Sequence, residues 1–224
     1  MEAMSEYQFV YANSESARRE TYEFLRTLLT HDDLPALPPE AAEREQLDGK
    51  LSPLVRAEVN GQLVGAAFIG PSWEDVSHQY ENGQMQTAWS LMRQVQMLHG
   101  LAVAPGHRGS GLGSMLLTEA ERAVSSDELR AIIGVANGDA RLDQFYRRNG
   151  YDVGDGARPL MLRFASEHYP NGEYLVLPQD QPEARWILKH ITQPVDGNRR
   201  PVRASHPSDK QLEMVRASSG GQWA

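Results

Sequence analysis

Residues 98–117 read LHGLAVAPGHRGSGLGSMLL, and their types and spacing suit one task, the holding of an anion on main-chain N–H groups. An apolar run stops at Pro105, a glycine-rich turn follows, and an amphipathic segment begins. Gly109, Gly111 and Gly113 alternate, so the backbone there is free to take positive φ and carries nothing to obstruct an approaching oxyanion. The spacing of Leu112, Met115, Leu116, Ala120 and Ala123 predicts a helix from Ser110 to about Val124 with one buried stripe. The first turn of such a helix offers unpaired N–H groups and the positive end of its dipole to a phosphate. His107 and Arg108 stand at its mouth.

Three phosphate-binding patterns compete for this stretch. A Walker loop ends in Gly-Lys-Ser/Thr, and no lysine stands near. A G-x-G-x-x-G fingerprint needs glycine where this chain has Ser114 or Leu116. Arg-x-x-Gly-x-Gly does fit, as Arg108, Gly111 and Gly113; the plain alternative is a surface turn ahead of an ordinary helix. Preceded by the LAVAP strand, the segment resembles the acetyl-CoA-binding motif of the GNAT N-acetyltransferase superfamily.

Residues 129–153, LRAIIGVANGDARLDQFYRRNGYDV, carry the resemblance further. They predict a strand ending near Asn137, a short helix from about Asp139 to Arg148, and a stop at Asn149-Gly150. Gly150 suits the residue after a helix C-cap, and Arg147 and Arg148 complement the negative end of the dipole. This is similar to the superfamily's second motif, A-x-x-F-Y-x-x-x-G-F, with Leu142 and Tyr151 in place of the usual Ala and Phe.

The resemblance implies an α/β fold: a mixed, mostly antiparallel central sheet of six to seven strands, splayed between strands four and five and flanked by about four helices. It implies acetyl-CoA as cosubstrate, no metal, and direct attack on the thioester by a primary amine of a small molecule or peptide. The main chain of Leu101, Ala102 and Val103 would then pair with the pantetheine arm. His107, Arg108, Gly109, Ser110, Gly111, Leu112, Gly113 and Ser114 would surround the diphosphate. Asn137 would contact the cofactor arm, and Tyr146 matches the superfamily tyrosine that faces the departing sulfur. A non-catalytic acyl-CoA-binding sensor on the same fold is the alternative.

An alkyl amine has a reference pKa near ~10.4, so at neutral pH only about one molecule in 10³ is uncharged and a base is needed. Strand alternation places Met97, His99 and Leu101 on one face of the fourth strand. An imidazole there is able to accept a proton at working pH, and superfamily bases recur on this strand as Glu or His. His99 is therefore the first candidate base and Glu58, on the second strand, the other. A histidine satisfied within the core, and a core tyrosine beside Phe145, stay open as plainer readings of His99 and Tyr146.

Composition sets the boundaries. The 224 residues carry 30 acidic against 22 basic side chains, a net charge of −8. That balance argues against nucleic acid bound through a basic face and is compatible with a cationic acceptor. The absence of cysteine excludes disulfides, a thiolate nucleophile and cysteine metal sites. The opening MEAMSEYQFV lacks the apolar run of a signal peptide. No apolar stretch approaches the roughly 20 residues that span a bilayer, so a cytoplasmic protein without a membrane partner is expected, with a homodimer as one assembly.

The expected organisation is an acetyltransferase domain over residues 1–168 and an extension over 169–224. A strand at Tyr7–Tyr11 and a helix at Ser14–Leu29 lead, with Ala17, Tyr22, Leu25 and Leu29 on one side. A short polar helix is expected over 39–48, then strands at 54–59 and 62–69 around Asn60-Gly61, a strong hairpin signal. The fourth strand follows at 95–103. The insertion 71–94, with helical spacing over 87–93, is either a lid whose Glu74, Asp75 or Glu81 meets a cationic substrate, or a cap on the core or a dimer interface. Leu160–Phe164 is expected as the last strand of the motif core, with a strand at 173–178 and a short helix at 184–191 beyond it. The RRPVR cluster at 199–203 reads as a solvated linker.

Overall fold

A computed structural model of the chain describes residues 7–29, 34–37, 52–156, 158–164, 173–179, 181–191 and 202–218. The first half contains β1 (Gln8–Tyr11), α1 (Glu15–Leu28), β2 (Leu54–Val59), β3 (Gln62–Gly70), α2 (Trp73–Glu81), α3 (Met85–Gln94) and β4 (Val95–Val103). A single 3₁₀ turn (Pro105–His107), α4 (Leu112–Ala123), β5 (Ala131–Asn137), α5 (Ala140–Arg148) and β6 (Asp152–Val153) follow. Last come β7 (Leu160–Phe164), β8 (Glu173–Leu177), β9 (Ala184–His190), β10 (Arg203–Ser205) and α6 (Asp209–Ser218). The expected mixed sheet is present with seven strands in the order β1-β2-β3-β4-β5-β9-β6, β4 and β5 being parallel. The chain divides into two compact units, residues 1–70 with 98–125 and residues 71–97 with 126–224. The polar helix expected over 39–48 and most of the basic cluster at 199–203 lie outside the described residues.

In the first unit, Ser14 opens α1 by accepting from Ala17 N at 3.3 Å, the N-cap bond that satisfies one orphan donor. Asn60 and Gly61 take φ of 51° and 75°, the mirror-image turn that matches strand twist in a two-residue hairpin. The core forms where α1 covers the sheet, with Leu25, Leu54, Ala66, Phe68 and Ala102 buried together. On α4 the buried stripe is Leu112, Leu116, Leu117 and Ala120. It is rotated from the expected one: Met115 is 39% exposed while Leu117 is 1% exposed. The helix also starts later than expected, at Leu112, because Gly109 and Gly111 both take positive φ and break helical geometry before it. Gly113 lies inside the helix, so only two of the three alternating glycines use left-handed freedom.

In the second unit, the insertion forms two helices, α2 and α3, rather than one. Leu91 of α3 joins a core with Val95, Ile133, Leu162, Trp186 and Leu188, and Val76 of α2 packs against it. Asp75 accepts a hydrogen bond from the Ser72 hydroxyl, and burial raises its carboxyl above the ordinary value. Glu74 and Glu81 are exposed.

Two expectations fail together in this unit. Leu160–Phe164 is a strand, but it belongs to a separate three-stranded sheet of order β10-β7-β8. The place beside β5 is taken by β9, which was expected as a short helix; it pairs antiparallel from Ala131↔His190 to Asn137↔Ala184. The segment ARWILKH satisfies either period, since Arg185 and Lys189 share a side at spacing four and also at spacing two. The burial of Trp186 and Leu188 against one core, with Ile187 buried on the opposite face, decides for the strand.

The β8–β9 turn presses against Gly138: a Cβ added there would sit 2.2 Å from Glu183 O. A backbone atom cannot yield as a side-chain end does. Gly138→Ala is expected to lower the free energy of unfolding by about 2 kcal/mol, read as a reduced midpoint in urea.

Candidate functional site

The end of β4 and the start of α4 form a candidate anion cradle within the first unit. Pro105 begins the 3₁₀ turn, His107 N donates to Ala104 O at 2.9 Å, and Ala104 N donates to Val64 O at 2.8 Å. Gly109 and Gly111 take φ of 81° and 86°, and a Cβ built on Gly106, Gly109 or Gly111 would meet nothing within 4 Å. Gly111 is the N-cap of α4 without any side-chain hydrogen bond to the helix, and no acidic residue stands in the first turn. The amides of Leu112 and Gly113 and the positive dipole end are thereby left for an external anion. Arg108 is exposed and anchored by Nε donating to Val103 O at 2.9 Å. A diphosphate fits this donor set, which offers main-chain amides and a guanidinium with no carboxylate in the first turn of α4.

Tyr7 is a contributor that sequence reasoning missed. Its hydroxyl donates to Ser110 Oγ at 3.1 Å, Ser110 Oγ donates to His107 O at 2.8 Å, and the Tyr7 and His107 rings meet edge-on at 6.1 Å. The only signal lay in topology. With β1, β2, β3 and β4 as successive neighbours, the start of the first strand and the end of the fourth fall at the same end of the sheet.

The remaining candidates in this unit lie on β4, β2 and α4. Along β4 the even positions Leu98, Gly100 and Ala102 are buried and the odd positions Met97, His99, Leu101 and Val103 partly exposed, the expected alternation. His99 stacks on Phe68 with ring centroids 4.7 Å apart. Glu58 Oε1 accepts from Arg56 Nε at 2.8 Å, and Arg56 also reaches Glu20 Oε2 at 2.7 Å. The Leu112 side chain belongs to the core at 1% exposure, so only its main chain faces the cradle. Ser114 N donates to Gly111 O at 3.0 Å.

Asn137 and Tyr146 belong to the second unit. Asn137 ends β5, is partly buried, and accepts from Asp139 N through its carbonyl at 2.6 Å. Asp139 then caps α5 by accepting from Arg141 N at 2.8 Å. The helix closes as the sequence indicates: Gly150 takes φ of 84°, Tyr151 N donates to Tyr146 O and Gly150 N to Arg147 O, both at 3.1 Å, a Schellman pair. Tyr146 is 8% exposed and packs edge-on against Phe145 and Tyr151 at 5.0 and 5.7 Å. Burial pushes its phenol up to about 12.

A profile of the Acetyltransferase (GNAT) family matches residues 18–151, more than half of the chain and inclusive of both motifs. The chain belongs to this family. Acetyl-CoA is the family's acyl donor, which agrees with the cradle. The ribosomal-protein-S18-alanine N-acetyltransferase from Escherichia coli is similar in structure over 86% of this chain and 98% of its own, at 11% identity and a TM-score of 0.51. Phosphinothricin acetyltransferase from Sinorhizobium meliloti, solved with AcCoA, is similar over 87% of this chain and 96% of its own, at 18% identity and a TM-score of 0.49. At such identities the likeness to the E. coli structure shows the fold alone. No curated protein sequence matches the chain. Among the described residues no group of three or more His, Asp or Glu side chains is placed to hold a metal. Nor, among them, is any helix long and apolar enough to cross a membrane.

The raised Tyr146 pKa makes stability fall at alkaline pH. The unfolded phenol ionises near its ordinary value of 10.0 while the folded one waits until about 12, so the contribution is complete below the first value and lost on rising through the second. The native protein is expected to lose on the order of 2–3 kcal/mol across that window through this group. In Tyr146→Phe, chemical denaturation measured at the two ends of the window should show a correspondingly smaller drop.

Proposed function

We propose that this GNAT protein transfers an acetyl group from acetyl-CoA to a primary amine of a small molecule or peptide. The observation that carries the reading is the pair of left-handed glycines, Gly109 and Gly111, opening an acid-free helix N-terminus beside Arg108. Acetyl-CoA supplies an acyl group already activated as a thioester, which the amine attacks directly.

The chain first supplies binding. Amides of the 109–113 segment and the Arg108 guanidinium hold the diphosphate, with Tyr7 and Ser110 steadying the loop. The main chain of Leu101, Ala102 and Val103 is assigned to the pantetheine arm, as is Asn137. Fixing both reactants in line contributes more than any single proton transfer.

Proton handling falls to His99 and Tyr146. Delivering the neutral amine costs roughly 4 kcal/mol at neutral pH unless a base removes the proton. His99 is only partly buried, so a proton it accepts has a route to water. Glu58 is the weaker candidate because its Oε1 already accepts from Arg56. Tyr146, with its phenol pushed up to about 12, holds the departing sulfur by a hydrogen bond. Complete transfer of its proton to a thiolate of ordinary pKa ~8.5 would cost about 5 kcal/mol.

Release of free thiol from acetyl-CoA, followed against a panel of amines, tests the reading. Amine-dependent release is expected. Tight CoA binding without release for any amine would make the protein an acyl-CoA sensor instead. Arg108→Ala should weaken CoA binding by about tenfold in calorimetry, and an unchanged affinity would remove the diphosphate assignment. His99→Ala and Tyr146→Phe should each reduce turnover by about 10- to 10⁴-fold with CoA affinity nearly unchanged. Full activity of His99→Ala across pH 6 to about 9 would end its role as base.

A further inference from the structure

Helix α5 is gripped at both ends from one face of β9. Arg185, Ile187 and Lys189 alternate onto the same side of that strand, opposite Ala136, Gly134 and Ile132 of β5. Arg185 forms an ion pair with Asp143, an acidic residue in the first turn of α5. Four residues on, Lys189 Nζ donates to Asn149 O at 3.1 Å, at the C-cap of the same helix. The Lys189 ammonium also lies 5.3 Å from the centre of the Tyr151 ring, and that ring meets Tyr146 edge-on.

We propose that Arg185 and Lys189 are positioning residues that clasp the two ends of α5 and so fix the ring of Tyr146 between them. The proposal rests on the reading of Tyr146 as the donor to the leaving sulfur. The charges suit the helix: a carboxylate in its first turn and a cation at its last carbonyl both complement the dipole. With nine residues, α5 is far too short to hold its conformation or direction unaided. Asp143 and Tyr146 are both buried on it, three residues apart, so a tilt of the first turn is transmitted to the ring within one turn. Both cations come from a strand beyond the matched residues 18–151. The clasp is therefore supplied by a part of the chain that the family match does not cover.

The test compares Arg185→Met, Lys189→Met, Lys189→Arg and Tyr146→Phe in the full-length protein. Amine-dependent thiol release gives kcat and KM, and amide hydrogen exchange is followed over residues 140–148 and 112–123. Each methionine variant should lower kcat by about tenfold with KM for acetyl-CoA within about twofold. Exchange should quicken over 140–148 and stay the same over 112–123, and Lys189→Arg should recover most of kcat. Should Arg185→Met fail to fold because it strands the buried Asp143 charge, Lys189→Met, whose partner is a carbonyl, gives the same reading. Unchanged exchange over 140–148 in the methionine variants, or loss of kcat matched by an equal rise in KM, overturns the clasp. Full turnover by Tyr146→Phe overturns the donor reading alone, and quickened exchange over 140–148 would still support the clasp.

Discussion

An anion can be held by a helix only if the amides at its mouth point outward and nothing negative stands among them. In this chain that constraint falls on a few residues. Pro105 stops β4 and starts a single 3₁₀ turn, and Gly109 and Gly111 reverse the backbone twice. Only then does α4 begin, uncapped by any side chain. Elsewhere α1, α2, α5 and α6 each place a carboxylate in the first turn, the usual way to quiet a helix N-terminus. Leu112, Leu116, Leu117 and Ala120 fix the helix, while Ala104 ties the end of β4 to Val64.

The second unit obeys a different constraint, the burial of a phenol. A tyrosine this deep is a poor acid, because its anion would lose hydration with no charge to replace it. An ordinary phenol is already neutral over the physiological range, and this desolvation extends the neutral form into alkaline pH. Burial of this kind demands neighbours that do not shift: the Phe145 and Tyr151 rings meet Tyr146 edge-on, and two cations of β9 bond to the ends of the helix that carries it.

Legibility in the sequence followed how local each cause is. The Asn60-Gly61 hairpin and the Gly150 stop are decided by a few adjacent residues, and both stood in the sequence as they stand in the fold; the glycine turn before α4 was legible too, but not the later start of the helix or the helical place of Gly113. The β4 face carrying His99 was readable for the same reason, since alternation requires nothing from elsewhere. What escaped depends on partners distant in sequence. Tyr7 meets Ser110 across the sheet, and the phase of the α4 stripe depends on which side β3 occupies. Whether ARWILKH becomes helix or strand is settled by β5, not by its own pattern. Arg56 escaped as well: a buried guanidinium shared by Glu20 and Glu58 leaves no periodic trace.

The ladder between β5 and β9 has a consequence for biosynthesis. Its strands are separated by α5, β6, β7 and β8, so a ribosome must deliver all of these before β5 finds its neighbour. Until then Ile132 and Ile133, buried in the finished protein, lie on a strand with one edge unsatisfied. Closing so long a loop is entropically slow. The nascent chain therefore passes through a period in which an apolar β edge is open to other polypeptides.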